Sequence, residues 1–214
     1  TLLSVLLIKS TESSATNLTE ISSSQMTGDL AVRCGVLIDG LSDYPKPDRV
    51  VVIRDRRIIS VTAGFKKAPV GLPLLDLSEL SCLPGLINTH VHFDSNPEDS
   101  ADYGIYARRT SEETLKLVLE NARTTLETGF TSVRHVGAWF PNAIYRAKKM
   151  IESGASLGPR IQTAGPYLTI PGGGGDLIFP EIPSDKIPEE SQMGVASTPE
   201  QFRERAEAAI AGGA

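Results

Sequence analysis

The sequence has few cysteines, few aromatic side chains, no cluster of basic charge and no long apolar run. Its 214 residues include two cysteines, 6% aromatic residues, 21 basic and 26 acidic side chains, for a net charge of -5. Basic residues cluster no further than pairs such as Lys66-Lys67, so we expect no nucleic-acid partner. The 40% hydrophobic and 22% charged residues describe a globular chain, which excludes a disordered or fibrous protein.

The two cysteines, Cys34 and Cys82, lie far apart and fit neither a CxxC motif nor a zinc-finger spacing. We therefore expect neither a disulfide scaffold nor a structural zinc module. Both are predicted to be small buried residues.

The N-terminal residues 1–29 form a leader of uncertain role. The apolar run TLLSVLLI is too short to span a membrane and precedes a Ser/Thr-rich stretch. There are two interpretations of this segment. It is either the remnant of a signal peptide, with Asn17-Leu18-Thr19 as a glycosylation sequon, or a disordered leader. Localisation stays open between cytoplasmic and secreted or periplasmic, and no membrane span is predicted.

Residues 30–81 have strand character. Leu30 to Ile38, Val50 to Ile53, Ile58 to Val61 and Leu74 to Leu77 are predicted strands, with a tight polar turn at Asp55-Arg56. Gly40 to Asp48 is predicted to be an exposed loop. The pattern indicates a small β unit.

Residues 82–214 alternate strand and helix patterns. Predicted strands are Leu83 to His90, Phe130 to Val136 and Arg160 to Ala164. A capping box at Thr110 to Glu113, Pro141 as a first helical residue, and Thr198 with Gln201 start the three predicted helices. Glycine ends the first two helices, at Gly129 and Gly154.

Three successive strand–helix units favour an α/β fold with parallel strands and crossover helices. The last helix ends at Ala211 to Ala214, where a fourth strand would begin. Because three parallel strands leave an unpaired edge, we expect the chain to be the N-terminal portion of a larger protein. A complete small α/β binding module is the alternative.

Two of the three histidines form the motif His90-Val91-His92 at the end of the first βα strand. On a strand, residues i and i+2 point to the same face, so both imidazoles can reach one metal ion. Active sites of barrel enzymes lie at this strand end. His90 and His92 are therefore the candidate metal ligands.

The segment Leu83-Pro84-Gly85-Leu86-Ile87-Asn88-Thr89-His90-Val91-His92 resembles the signature of the metal-dependent amidohydrolase superfamily. Glu127 to Arg134, Gly158 to Gly165 and Gly172 to Asp176 are similar to its imidazolonepropionase-like and Xaa-Pro dipeptidase-like branch. The resemblance implies a β-sandwich joined to a (β/α)8 TIM barrel that holds one or two divalent ions, usually zinc. It also implies a lysine, two more histidines and an aspartate beyond residue 214, so this chain alone is expected to be inactive.

Three positions depart from the branch pattern. Asn88 and His135 stand where the branch often has aspartate, and Gly174 stands where it often has histidine. Asn88 is a neutral hydrogen-bonding neighbour of the His pair. His135 is predicted to reach substrate or metal, or to pack behind them. Gly173 and Gly174 lie in a loop, Gly172 to Gly175, that is expected to cover the barrel mouth.

The resulting hypothesis is a zinc-dependent hydrolase of a C–N bond in an amide or peptide-like substrate, with a dipeptide favoured over a cyclic imide or lactam. The expected domains are the leader 1–29, a β-sandwich portion 30–81 and the N-terminal part of a TIM barrel, 82–214. The expected partner is a small molecule or dipeptide, and a homo-oligomer is possible. The alternative is a non-catalytic scaffold or assembly subunit.

Overall fold

The computed structural model describes residues 8–9, 29–64, 70–180 and 182–214, with the backbone alone at 8–9. These residues form two compact units that divide after Leu86. Most of the leader, including the Asn17 sequon, lies outside the described residues. Within it, Ile8–Lys9 forms a short strand, β1.

The first unit is a five-stranded sheet in the order β1-β5-β2-β3-β4. Its remaining strands are β2 (Leu30–Leu37), β3 (Lys46–Arg54), β4 (Arg57–Ala63) and β5 (Leu74–Cys82). Strands β2 and β5 run parallel, whereas β1 and β5, β2 and β3, and β3 and β4 are antiparallel. The sheet confirms the strand character predicted for this region.

The β3–β4 hairpin turns at Asp55 and Arg56, both with positive φ, of 48° and 62°. Two consecutive left-handed residues match the twist of a two-residue hairpin, which confirms the predicted polar turn. The loop predicted for 40–48 is wrong at its end, because Lys46 to Asp48 belong to β3. Pairing of Pro47 with Val36 extends the strand through residues whose types favour a loop.

The prediction for the cysteines is wrong in one respect. Both are buried as expected, but they form a disulfide between β2 and β5, with Cα atoms 5.8 Å apart. The parallel pairing of these strands places Leu37 opposite Cys82 and brings the two distant cysteines together. Spacing rules for local cysteine motifs do not detect such a pair.

The second unit contains a three-stranded sheet in the order β6-β7-β8. Its strands are β6 (Leu86–Val91), β7 (Phe130–His135) and β8 (Arg160–Thr163). Its helices are α1 (Ile105–Arg108), α2 (Ser111–Glu127), α3 (Pro141–Glu152) and α4 (Pro199–Gly212). Strands β7 and β8 are parallel, so this unit has the α/β character that the sequence predicts.

The helix starts follow the predicted caps. Thr110 Oγ1 accepts from the Glu113 backbone N–H, and the Glu113 carboxylate accepts from the Thr110 N–H. Thr198 Oγ1 likewise accepts from the Gln201 N–H. Helices α2 and α3 pack on the sheet through buried side chains that include Val118, Ala122, Val133, Ile144, Ala147 and Ile161. In the part of the chain that is described, no helix combines the length and apolarity needed to cross a bilayer.

Candidate metal centre

Strand β6 delivers the two predicted ligands to one end of the three-stranded sheet. His90 is exposed, whereas His92 is half-buried, and their ring centroids lie 5.4 Å apart. The Asn88 carboxamide oxygen accepts from the His90 backbone N–H at 3.0 Å. Asn88 thus bonds the backbone of its own strand and not the imidazole rings.

The neighbouring strand β7 is aligned with β6 at a constant offset of 45 residues. The Arg134 side chain donates from Nε to Thr89 O, and the Val136 backbone N–H donates to Val91 O. One step further along, Gly137 O lies 3.1 Å from His92 Nδ1. Contacts that advance together along both strands are those of a parallel pair. The pairing therefore brings one particular backbone carbonyl to the His92 ring.

The carbonyl of Gly137 determines the protonation pattern of His92. A carbonyl oxygen can only accept, so Nδ1 carries the hydrogen and Nε2 keeps its lone pair. Burial lowers the pKa of His92, although the bond to Gly137 opposes the shift, so the neutral ring is favoured. A neutral imidazole whose other N–H bonds a backbone carbonyl is the usual form of a metal-binding histidine.

His92, Asp94 and His135 form a group that can hold a cation. One ligand atom from each lies within 4.8 Å of the others. Asp94 is 3% exposed and His135 is fully buried. Asp94 follows β6 directly and His135 ends β7, so adjacent strand ends build the group.

His135 is an incompletely bonded buried side chain. Its Nε2 accepts from the Phe93 N–H at 2.9 Å, so its hydrogen is placed on Nδ1, which has no partner among the described residues. Asp94 Oδ1 lies 3.4 Å from the same Nε2, so an acceptor faces an acceptor. A positive ion beside these groups would relieve that repulsion.

The donor set therefore fits a divalent ion. Two imidazoles and a carboxylate are the ligand types that zinc takes in proteins, and the His92 tautomer leaves Nε2 available. His135 Nε2 would bind an ion only by exchanging its bond from the Phe93 N–H for a bond to the metal. His90 lies beside His92 but does not belong to the group whose ligand atoms are within 4.8 Å of one another. The structure thus brings His135 close to His92 and adds Asp94, which the sequence analysis did not single out.

The glycine loop approaches this centre through two aromatic side chains. Trp139 Nε1 donates to Gly175 O at 2.9 Å. The Trp139 ring packs edge-on against the Tyr167 ring, with the ring centroids 5.7 Å apart. Tyr167 Oη lies 3.0 Å from His92 Nδ1. Gly174 faces open space, and the Gly173 N–H bonds Ile170 O within the loop. Neither glycine has a described contact with the histidines.

Two buried acidic groups lie outside the predicted set. Asp176, 4% exposed, accepts from the Gly172 N–H and from Gln192 Nε2 and so closes the glycine loop. Asp99 is held by two bonds of 2.7 Å from Arg109, whose guanidinium also reaches Asp94 O at 3.5 Å. Asp99 is 8% exposed, so the two side chains form a largely buried ion pair.

Histidines at strand ends beside a buried carboxylate, in a unit of strands and crossover helices, are typical of metal-dependent hydrolases. Residues 82–213 match the model of the amidohydrolase family, and the chain belongs to that family. No curated protein matches the sequence.

Solved structures give a finer comparison. A Xaa-Pro dipeptidase with methionine bound in its active site is 28% identical, with a TM-score of 0.76, over 87% of this chain and 45% of that one. A prolidase complexed with N-methylphosphonate-L-proline is 27% identical, with a TM-score of 0.68 and the same coverage. Molinate hydrolase is 27% identical, with a TM-score of 0.62, over 85% of this chain and 37% of that one. The chain resembles the dipeptidase-like branch and spans less than half the length of these proteins.

Proposed function

We propose that this chain is part of a metal-dependent hydrolase that cleaves a C–N bond in an amide or peptide-like substrate. The observation that carries the proposal is the group of His92, Asp94 and His135 at adjacent strand ends. Family membership and the similarity to a Xaa-Pro dipeptidase and a prolidase support it. The domain division proposed from the sequence, a β-sandwich portion at 30–81 and part of a TIM barrel at 82–214, belongs to the same proposal.

The residues of this chain would hold the ion and keep their own ligand atoms in order. His92 presents Nε2, because its Nδ1–H donates a hydrogen bond to Gly137 O. Asp94 brings a negative charge from a site that is nearly closed to water. His135 would supply a second imidazole through Nε2, in exchange for its present bond from the Phe93 N–H. His90, at the same strand end, is the fourth candidate ligand. A divalent ion bound there supplies Lewis-acid polarisation of a carbonyl and lowers the pKa of a water molecule.

The comparisons support a proposal for the substrate class. We favour a dipeptide-like amide, because two similar structures carry a dipeptidase or prolidase name. Molinate hydrolase shows that similarity at the same level of identity also reaches other hydrolases. Gly174 offers no side chain to a substrate, so recognition of a dipeptide would depend on other groups.

The test uses the intact protein, stripped of metal and reloaded with Zn²⁺. Hydrolysis of X-Pro and other dipeptides is compared with hydrolysis of cyclic imides and lactams. The His92→Ala and Asp94→Asn variants are expected to lose bound zinc and at least about 100-fold in turnover. Asp102→Asn is the matched control, since Asp102 is an exposed carboxylate paired with Arg108.

The outcomes separate the enzyme from the scaffold alternative. Zinc-dependent cleavage that His92→Ala abolishes supports the hydrolase. A protein that neither binds zinc nor cleaves any of these amides would overturn the hydrolase proposal in favour of a scaffold. Equal zinc content in the Asp94→Asn and Asp102→Asn variants would remove Asp94 from the ligand set.

A further inference from the structure

Tyr167 lies in a closely fitted socket beside His92. Its hydroxyl oxygen is 3.0 Å from His92 Nδ1, the atom that also faces Gly137 O at 3.1 Å. The residue is 75 positions from His92 in the sequence and follows strand β8, so this contact joins two separate strand ends.

Three glycines form the socket. A Cβ atom at Gly137 would lie 2.4 Å from Tyr167 Cε1, and one at Gly175 would lie 2.5 Å from Tyr167 Cβ. A Cβ atom at Gly194 would lie 1.9 Å from the Tyr167 carbonyl oxygen. Gly137 also has a φ of +135°, a conformation that other residues rarely adopt. Ring, Cβ and backbone of the tyrosine are thus each held by a residue that has no side chain.

The hydrogen-bond arrangement assigns a direction to this contact. Gly137 O requires the hydrogen on Nδ1, so the Nδ1–H donates to the carbonyl and also faces Tyr167 Oη as a second acceptor. If Tyr167 donated to Nδ1 instead, Gly137 O and Nδ1 would be two acceptors in contact, which is unfavourable. Two oxygens on one N–H fix the tilt of the imidazole as well as its tautomer.

From this arrangement we infer that Tyr167 is a positioning residue for His92. Together with Gly137 O it holds the imidazole in the Nδ1–H form and aims Nε2 at the cation site. The inference rests on the proposed function for its metal, but its geometry stands on the described residues alone. The same inference gives Gly175, within the glycine run, a role in holding Tyr167 against His92.

The variant Tyr167→Phe removes the hydroxyl and keeps the ring in its socket. In the intact protein we expect its Zn²⁺ dissociation constant, measured against a competing chelator, to rise roughly 10-fold. The absorption bands of the Co²⁺-substituted protein should shift, while the thermal unfolding midpoint stays within error of the unaltered protein. Tyr103→Phe is the matched control, because the Tyr103 ring stacks on Phe179 and its hydroxyl has no described bond to a histidine.

A metal-free measurement separates this inference from the proposed function. The ¹⁵N shifts of His92 in the stripped protein should report the Nδ1–H tautomer. In Tyr167→Phe the Nδ1 shift should move, because its N–H keeps Gly137 O as an acceptor and loses the Tyr167 hydroxyl. If the unaltered protein binds no zinc, the proposed function fails, and the ¹⁵N shifts still decide the role of Tyr167. Unchanged zinc affinity, Co²⁺ spectrum and ¹⁵N shifts in Tyr167→Phe would overturn the inference, as would an equal loss in Tyr103→Phe.

Discussion

The disulfide between Cys34 and Cys82 makes a quantitative prediction about the first unit. It closes a segment with a sequence separation of 48 residues. In the chain-entropy model, a loop of this length restricts the unfolded chain by about 4 kcal/mol at 25 °C. Reduction should therefore lower the free energy of unfolding of this sheet by about 4 kcal/mol, since the native pairing of β2 with β5 remains.

Hydrogen exchange of the β2 and β5 amides measures this free energy directly. Amides that exchange only when the sheet opens should exchange about 1000-fold faster after reduction, because 1.4 kcal/mol corresponds to a factor of ten. The Cys34→Ala/Cys82→Ala double variant serves as the control. Any stability that this variant loses beyond the reduced protein reports the lost packing of the two side chains, which are 1% and 2% exposed.

Two results would refute this reasoning. If a thiol reagent labels both cysteines of the unfolded protein without reductant, the disulfide is not formed. If the disulfide is formed but reduction changes protection by less than about 1 kcal/mol, loop closure is not what stabilises the sheet.

Two further predictions concern the second unit. Burial alone would raise the pKa of Asp99, but the bonds and charge of Arg109 and the bond from the Asn96 N–H together outweigh it and lower the pKa. The stabilisation by ionised Asp99 is therefore present above pH 3.8, the ordinary value, and is lost as pH falls through the lower, folded value. Asp99→Asn should lower the free energy of unfolding by about 3 kcal/mol at pH 7, measured by urea denaturation. It should also weaken the loss of stability at acid pH, and an unchanged pH dependence would contradict this prediction. Thr110→Ala should cost about 1 kcal/mol by removing the α2 cap, whereas Thr124→Ala, exposed in the same helix, should cost nothing; equal losses would contradict the cap.

Local chemistry made much of the second unit predictable from the sequence. The capping pattern at Thr110, the proline at position 141 and the helical spacing of apolar residues depend on neighbours within one or two turns. The placement of His90 and His92 near each other depends only on the alternation of a strand. These features can be derived because their causes lie within a few residues of each other.

The remaining parts of the candidate site depend on contacts between distant residues. Asp94, a polar residue just after a strand, has no periodic signal, and its burial follows from the packing of β6 against β7. Tyr167 reaches His92 only through the parallel order of three strands and a glycine-lined approach. The Cys34–Cys82 pair likewise depends on β2 and β5 lying side by side. Sequence patterns describe one element at a time, so they do not report which elements become neighbours.

Residues 170–194 form an excursion of the chain whose two ends lie side by side. Thr169 N–H bonds Gly194 O at 3.1 Å, and the Ala196 N–H bonds Thr169 O at 2.8 Å, so a bridge of Thr169 to Val195 closes its base. Tyr167 lies just outside this closure. Apart from Gly175 and Gly194, which contact Tyr167, residues of the excursion can therefore vary in number and type without moving the groups that orient His92. A segment closed at its base in this way can change in evolution while the surroundings of His92 are inherited unchanged.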